Sequence, residues 1–321
     1  MKAVVYYTQG TSNVLETVEL EKPTIKDTEM LVAVEASGIN PVDTYFRSGL
    51  RPVAKFPHLP HFDLGGTVVE IGAEVKKWQI GDRVWGTSVK GTAAQFIVVE
   101  EEQVYPLPDH VTAVEGAALA MAFVTAHLGL FYRAQLKKNE KVVIFGGAGA
   151  VGHAAIQLAK TAGAFVIATA GNEEKAGLAK AAGADEVILY KEENLLEKVT
   201  AFTEGSGVDV ILDVSLSENI EQDLQMIANG GRIITVGSPK NTTPELPWRL
   251  LNFKNATLLG LLLFTVPEKV QQEAGKEISK LFAEKKLTAL VGKTFLFEEA
   301  ALAHQAVETH QYNGSIVIIP S

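Results

Sequence analysis

An α/β fold, with a doubly wound parallel sheet joined to a second, β-rich domain, is what this sequence predicts. Three observations carry it. Residues 141–170 read KVVIFGGAGAVGHAAIQLAKTAGAFVIATA: a β-branched run, a glycine turn, an apolar-periodic segment and a second strand. From about residue 123 onward, strand and helix patterns alternate. Before that point, strand-like runs dominate and few long helical patterns interrupt them.

Each element has a local reason. In the N-terminal part the strand-like runs are residues 30–37, 66–71, 82–85 and 94–99, with Gly, Pro and Asp between them. Thr112 then reads as the cap of an Ala-rich helix. After the opening βαβ unit come a helix near 174–182, a strand 186–189 and a helix near 194–202. A strand 208–212, a helix near 220–228, a strand 232–236 and a last strand 258–264 follow. Six strands with helices on both faces make a doubly wound sheet. A helix near 268–285 and a β-like tail ending at 315–319 return to the first domain. The domains expected are 1–122 with 267–321, and 123–266.

The glycine turn is a full G-x-G-x-x-G, formed by Gly147, Ala148, Gly149, Ala150, Val151 and Gly152. With a strand before it and a helix after it, this is the context of a Rossmann dinucleotide site. Gly147 is expected to make the sharp turn, Gly149 to admit a pyrophosphate, and Gly152 to let helix and strand pack closely. The phosphates would meet the free N–H groups and positive end of the helix dipole.

Composition narrows the rest. The net charge of -9 argues against nucleic acid or an anionic membrane as partner. The absence of cysteine excludes disulfides, thiol catalysis and a Cys-based zinc site, and fits a reducing cytoplasm. Met1 leads directly into a strand-like run, without the pattern of a signal peptide. The apolar stretches 116–132 and 256–266 read as core rather than membrane spans.

With these segments in place, the chain resembles the zinc-free medium-chain dehydrogenase/reductases, in particular the quinone oxidoreductase and zeta-crystallin family. The most specific piece is GINPVDTYFRSG over residues 38–49. Gly81–Val84, Gly116–Ala118, Val124–Ala126, the cofactor loop and Gly230–Gly237 extend the match from end to end. The resemblance implies a GroES-like β-barrel catalytic domain with a Rossmann domain inserted near its C-terminal end. The active site of such proteins lies in the cleft between the two.

Zinc-dependent relatives carry a cysteine where Asn40 stands, and a Gly-His-Glu segment. His61 and Asp63 only superficially resemble that pair, so no metal is expected. His61 also stands where the resembling reductases have a glycine; the reading is a structural surface histidine, or else a residue at the pocket mouth.

NADPH is the expected cofactor. NAD sites place an acid at the end of the second strand, but here that end passes through Ala170 to Gly171 and Asn172. Lys175 follows one turn on, and Tyr190 ends the third strand; both match positions that contact the 2′-phosphate in the resembling reductases. The alternative for Lys175 is a solvated helix residue. Gly237 and Ser238, and Leu263 and Phe264, lie at the carboxyl edge of the sheet, where backbone atoms would hold the nicotinamide amide. Asp213 ends the fourth strand in a role read as structural at least as readily.

The resemblance places Asn40, Tyr45 and Thr125 at the reacting end. Tyr45 would donate to the acceptor oxygen or form the pocket wall. Without the resemblance, Asn40 reads as a turn residue and Thr125 as a helix hydroxyl bonded to its own backbone. Arg47 reads as an ion-pair partner. The function implied is reduction of a quinone by NADPH without metal. The alternatives are an NADPH-dependent alkenal or enone reductase, and a non-catalytic NADPH-binding structural or sensor protein. The apolar edge strand near 257–264 predicts a homodimer.

Overall fold

The computed structural model describes residues 1–237 and 242–321, and the expectation for Ser238 lies outside them. The chain divides into two compact units, one formed by Met1–Ala122 with Gly275–Ser321, the other by Phe123–Ala274.

The first unit opens with β1 (Lys2–Val5) and β2 (Glu16–Glu19), an antiparallel pair. Then come β3 (Glu29–Ile39), α1 (Pro41–Ser48), β4 (Asp63–Ile71), β5 (Arg83–Gly86), β6 (Phe96–Glu100) and β7 (Val104–Pro106). The alternating apolar residues of β3 decide its register. Met30 lies opposite Ile71 of β4 and Val99 of β6. Met30, Val32 and Val34 form a buried cluster with Leu64, Val68 and Val84. Pro41 at the first position of α1 and left-handed Gly49 behind its last residue delimit that helix.

Helix α2 (Ala113–His127) continues through a π-helical segment to Arg133. This 21-residue stretch is long and apolar enough to cross a membrane, but 78% of its most apolar window is buried inside the protein. It is a core helix.

The second unit runs β8 (Lys141–Ile144), α3 (Ala150–Thr161), β9 (Phe165–Ala170), α4 (Glu173–Ala181), β10 (Glu186–Leu189) and α5 (Leu195–Phe202). It goes on through β11 (Val208–Asp213), α6 (Leu216–Met226), β12 (Ile227–Thr235), α7 (Trp248–Phe253) and β13 (Thr257–Gly260). All six strands are parallel, in the order β10-β9-β8-β11-β12-β13. The order reverses between β8 and β11, which creates the switch point at which such sheets bind ligands. Val143, Ile167, Ile211 and Ile233 supply a fully buried apolar layer across the sheet.

Two boundaries differ from expectation. Helix α6 ends at Met226, and β12 begins at the next residue rather than at 232. Strand β13 stops at Gly260, opposite the last residue of β12, Thr235. No partner strand extends beyond that point among the described residues, and Leu263–Thr265 closes into a 3₁₀ turn rather than extending the strand.

The tail comprises α8 (Glu268–Ala283), β14 (Val291–Leu296), α9 (Ala300–Glu308) and β15 (Ser315–Ile319). Strand β15 pairs antiparallel with β3, Ile316 opposite Ile39, so the chain ends inside the sheet of its first unit. That sheet has the order β14-β15-β3-β4-β5-β7, with β6 paired to β3.

Candidate active site

At the switch point the glycine turn is built more tightly than its motif implies. The residue with the left-handed backbone is Gly146, at φ 69°, and not Gly147. Gly147 is a packing residue instead, since a Cβ there would meet Ala179 at 2.9 Å and Ala168 at 3.1 Å. A Cβ on Gly152 would lie 2.2 Å from the carbonyl oxygen of Gly146. Gly149 is the N-cap of α3, and its own Cβ position has only Gly146 O at 3.3 Å for company. The first turn of α3, from Ala150 and Val151, therefore presents unpaired peptide N–H groups at an open glycine rim. Ala148 is buried in the turn.

Thr169, buried near the end of β9, staples this turn. Its hydroxyl accepts from Gly146 N at 3.1 Å and its carbonyl from Gly147 N at 2.9 Å. Sequence reasoning used this strand end only for its lack of an acid and missed the threonine. The signal available was a buried hydroxyl one strand away from a double glycine.

At the ends of β9 and β10, Gly171 and Tyr190 meet. A Cβ on Gly171 would stand 3.0 Å from the Tyr190 hydroxyl, and Tyr190 is 52% exposed. Asn172 spends its side-chain oxygen on capping α4, accepting from Lys175 N at 2.9 Å. The amino group of Lys175 has no ion pair among the described residues. Gly237 has φ 90° and lies beside the Val214 carbonyl. Leu263 is buried, and its carbonyl accepts from Gln271 Nε2 at 3.2 Å. Phe264 sits in the same 3₁₀ turn.

In the first unit, Asn40 is the N-cap of α1, with extended backbone. Its peptide N–H donates to Asp43 Oδ2 at 2.7 Å. Its amide Nδ2 donates to Asp63 Oδ2 at 2.7 Å, so the side chain is tied to β4 rather than turned onto its own helix. Asp63 also accepts from Thr87 Oγ1 at 2.6 Å and Met121 N at 3.1 Å. Burial pushes its carboxyl up to about 7, against the pull of these donors.

Tyr45 stands on α1, partly exposed. Burial raises its phenol above the ordinary value, and the Arg51 guanidinium draws it back. The hydroxyl of Thr125, on α2 in the second unit, makes no hydrogen bond to its own helix among the described residues. Arg47 is buried and pairs with Glu308 on α9.

His61 is corrected: it is not a surface residue. It is 1% exposed with a left-handed backbone, φ 73°. Nδ1 meets Ser37 Oγ at 3.0 Å, and Nε2 meets His304 Nε2 at 2.9 Å. The side chain that a glycine would lack provides the bonds that hold this strained backbone. Burial pushes its imidazole down to about 3, so the ring is neutral.

Comparison with known proteins assigns this architecture. Residues 26–109 match the alcohol dehydrogenase GroES-like domain, and residues 150–280 match the zinc-binding dehydrogenase model. Human quinone oxidoreductase is 32% identical over 318 residues, covering 96% of this chain and 94% of the human one. The chain belongs to the quinone oxidoreductase family. Escherichia coli quinone oxidoreductase complexed with NADPH superposes at a TM-score of 0.88 with 28% identity, both chains covered in full. A mycobacterial protein complexed with NADPH does so at 0.90 with 30% identity, again over the whole of each chain.

One family model carries zinc in its name, and the residues of this quinone oxidoreductase family member do not fit that ion. Asn40 turns an N–H donor toward Asp63, and His61 Nε2 is bonded to another imidazole. Among the described residues no three His, Cys, Asp or Glu side chains converge as a metal requires.

Asp213, at the carboxyl end of β11, is fully buried together with Asp223 of α6. Asp213 accepts from Ser215 N at 2.6 Å and Asn219 Nδ2 at 3.2 Å. Burial and the Asp213 charge raise the Asp223 carboxyl to about 9, and neither of its oxygens has a hydrogen-bond partner among the described residues. Asp213 holds the turn after its strand, a structural role.

Proposed function

We propose that this chain is an NADPH-dependent quinone reductase that works without a metal. One observation carries the reading. In a member of this family, a complete dinucleotide cradle stands beside a strand end with no acid and an unpaired lysine. A 2′-phosphate needs a cation and the absence of a carboxylate.

The cofactor, when bound, supplies the hydride, and a quinone takes it readily because its reduced product is aromatic. The chain's part is to bind and orient. The turn Gly147–Val151 holds the pyrophosphate on the free N–H groups of Ala150 and Val151 that open α3, with Gly147, Ala148 and Gly149 shaping the cradle, and Gly171, Asn172, Lys175 and Tyr190 surround the adenosine phosphate. Backbone atoms of Gly237, Leu263 and Phe264 hold the nicotinamide amide. Asn40, Tyr45 and Thr125 serve the reacting end. Tyr45, whose phenol burial raises further above its ordinary value, keeps its proton at physiological pH and donates it to the acceptor oxygen. Residues 1–122 with 267–321 form the substrate domain, and 123–266 the NADP domain. We assign the enzyme to the cytoplasm, in keeping with its lack of cysteine.

The test is oxidation of NADPH, followed by nicotinamide absorbance, with an ortho-quinone, a para-quinone and an enone, and NADH as control. Turnover with a quinone and NADPH is expected. Turnover with the enone alone, or with NADH as readily as NADPH, would sink the reading. In the same assay Lys175→Ala is expected to weaken NADPH by about 10-fold and leave NADH nearly unchanged.

We also propose a homodimer. Strand β13 is the edge of its sheet, with Leu258 and Leu259 only partly covered. Light scattering at micromolar concentration should give the mass of two chains; a single-chain mass would refute it.

A further inference from the structure

Asp63 is 2% exposed, and its hydrogen-bond partners include no cation. It faces Asn40 from the turn before α1, Thr87 behind β5 and the Met121 N–H of α2. Its titratable neighbour is the Asp43 carboxyl of α1, itself buried and held well above the carboxylate range by desolvation. A peptide N–H can only donate, and an ionised carboxylate can only accept. The Asn40 amide therefore has to turn its NH₂ toward Asp63. The Asp43 side chain accepts the Asn40 peptide N–H instead, on Oδ2 at 2.7 Å. With its NH₂ held toward Asp63, the amide leaves its acceptor oxygen, Oδ1, for a ligand.

We propose that Asp63 is the positioning residue of an Asn40 subsite, fixing the amide oxygen toward the ligand so that the subsite takes a hydroxyl group. The proposal rests on the assignment of Asn40 to the active site. A bare carbonyl would set lone pairs against lone pairs there, whereas a hydroxyl donates. Two hydroxyl sources take part in the proposed reaction, the ribose of NADPH and the hydroquinone product.

The polarity depends on one proton. A protonated Asp63 is itself a donor, can bond Oδ1, and lets the amide turn its NH₂ outward. Burial puts that proton's uptake at about 7. Hydroxyl affinity is present above neutrality and is lost as pH falls through it.

The experiment measures two constants on either side of neutrality for the parent, Asp63→Asn and Asn40→Ala. One is the dissociation constant of NADPH alone, from tryptophan fluorescence. The other is the product-inhibition constant of a hydroquinone. In the parent, one of the two is expected to weaken about 10-fold as pH falls, the worth of one good hydrogen bond. In Asp63→Asn the same constant should be flat across the range. A moving NADPH constant identifies the ribose as the hydroxyl, and a moving hydroquinone constant identifies the product. If neither parent constant responds to pH, or Asp63→Asn keeps the parent profile, the proposal is wrong. Should Asp63→Asn fail to fold, Asn40→Ala decides: retention of the parent's pH response without the amide overturns it. NADPH binding with the expected profile but no quinone turnover would sink the reductase reading and leave the subsite standing.

Discussion

Gly152→Ala is expected to weaken NADPH binding about 100-fold or more, a loss of about 2.7 kcal/mol. The single added carbon would lie 2.2 Å from the Gly146 carbonyl oxygen and 2.8 Å from its carbon. Both are backbone atoms and cannot rotate away. The turn has to open, and it is this turn that Thr169 holds by two hydrogen bonds. The peptide N–H groups at the start of α3 then lose the alignment that phosphate binding requires. Fluorescence titration with NADPH checks the loss. A melting curve on the same sample separates it from unfolding, since the first unit contains none of these residues. Affinity within about threefold of the parent would mean that the turn yields cheaply and that its geometry is not what binds the phosphates.

The second large effect lies far along the chain. Glu308→Ala should destabilise the protein by about 3 kcal/mol. Arg47 is 1% exposed, and its Nε and Nη1 already lack a hydrogen-bond partner. Among the described residues, Glu308 alone forms an ion pair with the guanidinium. Removing it strands a buried cation, which in proteins costs about 3–5 kcal/mol; the low end applies because Glu308 is itself 37% exposed. Denaturant unfolding measures the change. Converting both residues together to apolar ones should recover most of it, because the penalty comes from the unpaired charge and not from the missing contact. A change below about 0.5 kcal/mol in Glu308→Ala would show that Arg47 is neutralised by other means.

The sequence reveals what periodicity and glycine spacing encode. The βαβ unit and the tail strand 315–319 are legible because their buried strands are short apolar runs rich in β-branched residues. Helix α6 and strand β12 abut without a loop, so no turn residue marks where one period gives way to the other. The early end of β13 is illegible for another reason: its length is set by the strand beside it, not by its own residues. The same split divides the site. The glycine rim could be read, but the roles of Gly146 and Gly147 are exchanged, because φ at one residue depends on which neighbour the next must clear. Asp63 drew notice only as part of a failed metal pattern; its partners, Asn40, Thr87 and Met121, lie 23, 24 and 58 positions away. His61 misled as a polar residue in a loop, since its partner His304 is 243 positions distant.

The buried pair of Asp213 and Asp223 makes folding of the second unit a proton-binding reaction. The unfolded chain releases the Asp223 proton at the ordinary carboxyl value, about 4, and the folded chain retains it to about 9. Between those limits each molecule that folds takes up a proton from the solvent at this site. The sign follows from linkage: the contribution of the pair is whole below the unfolded value and drains away as pH climbs toward the folded one. The Asp223 carboxyl, buried beside the aspartate that holds the turn after β11, therefore biases this domain toward acid, in the direction opposite to a salt-bridged aspartate.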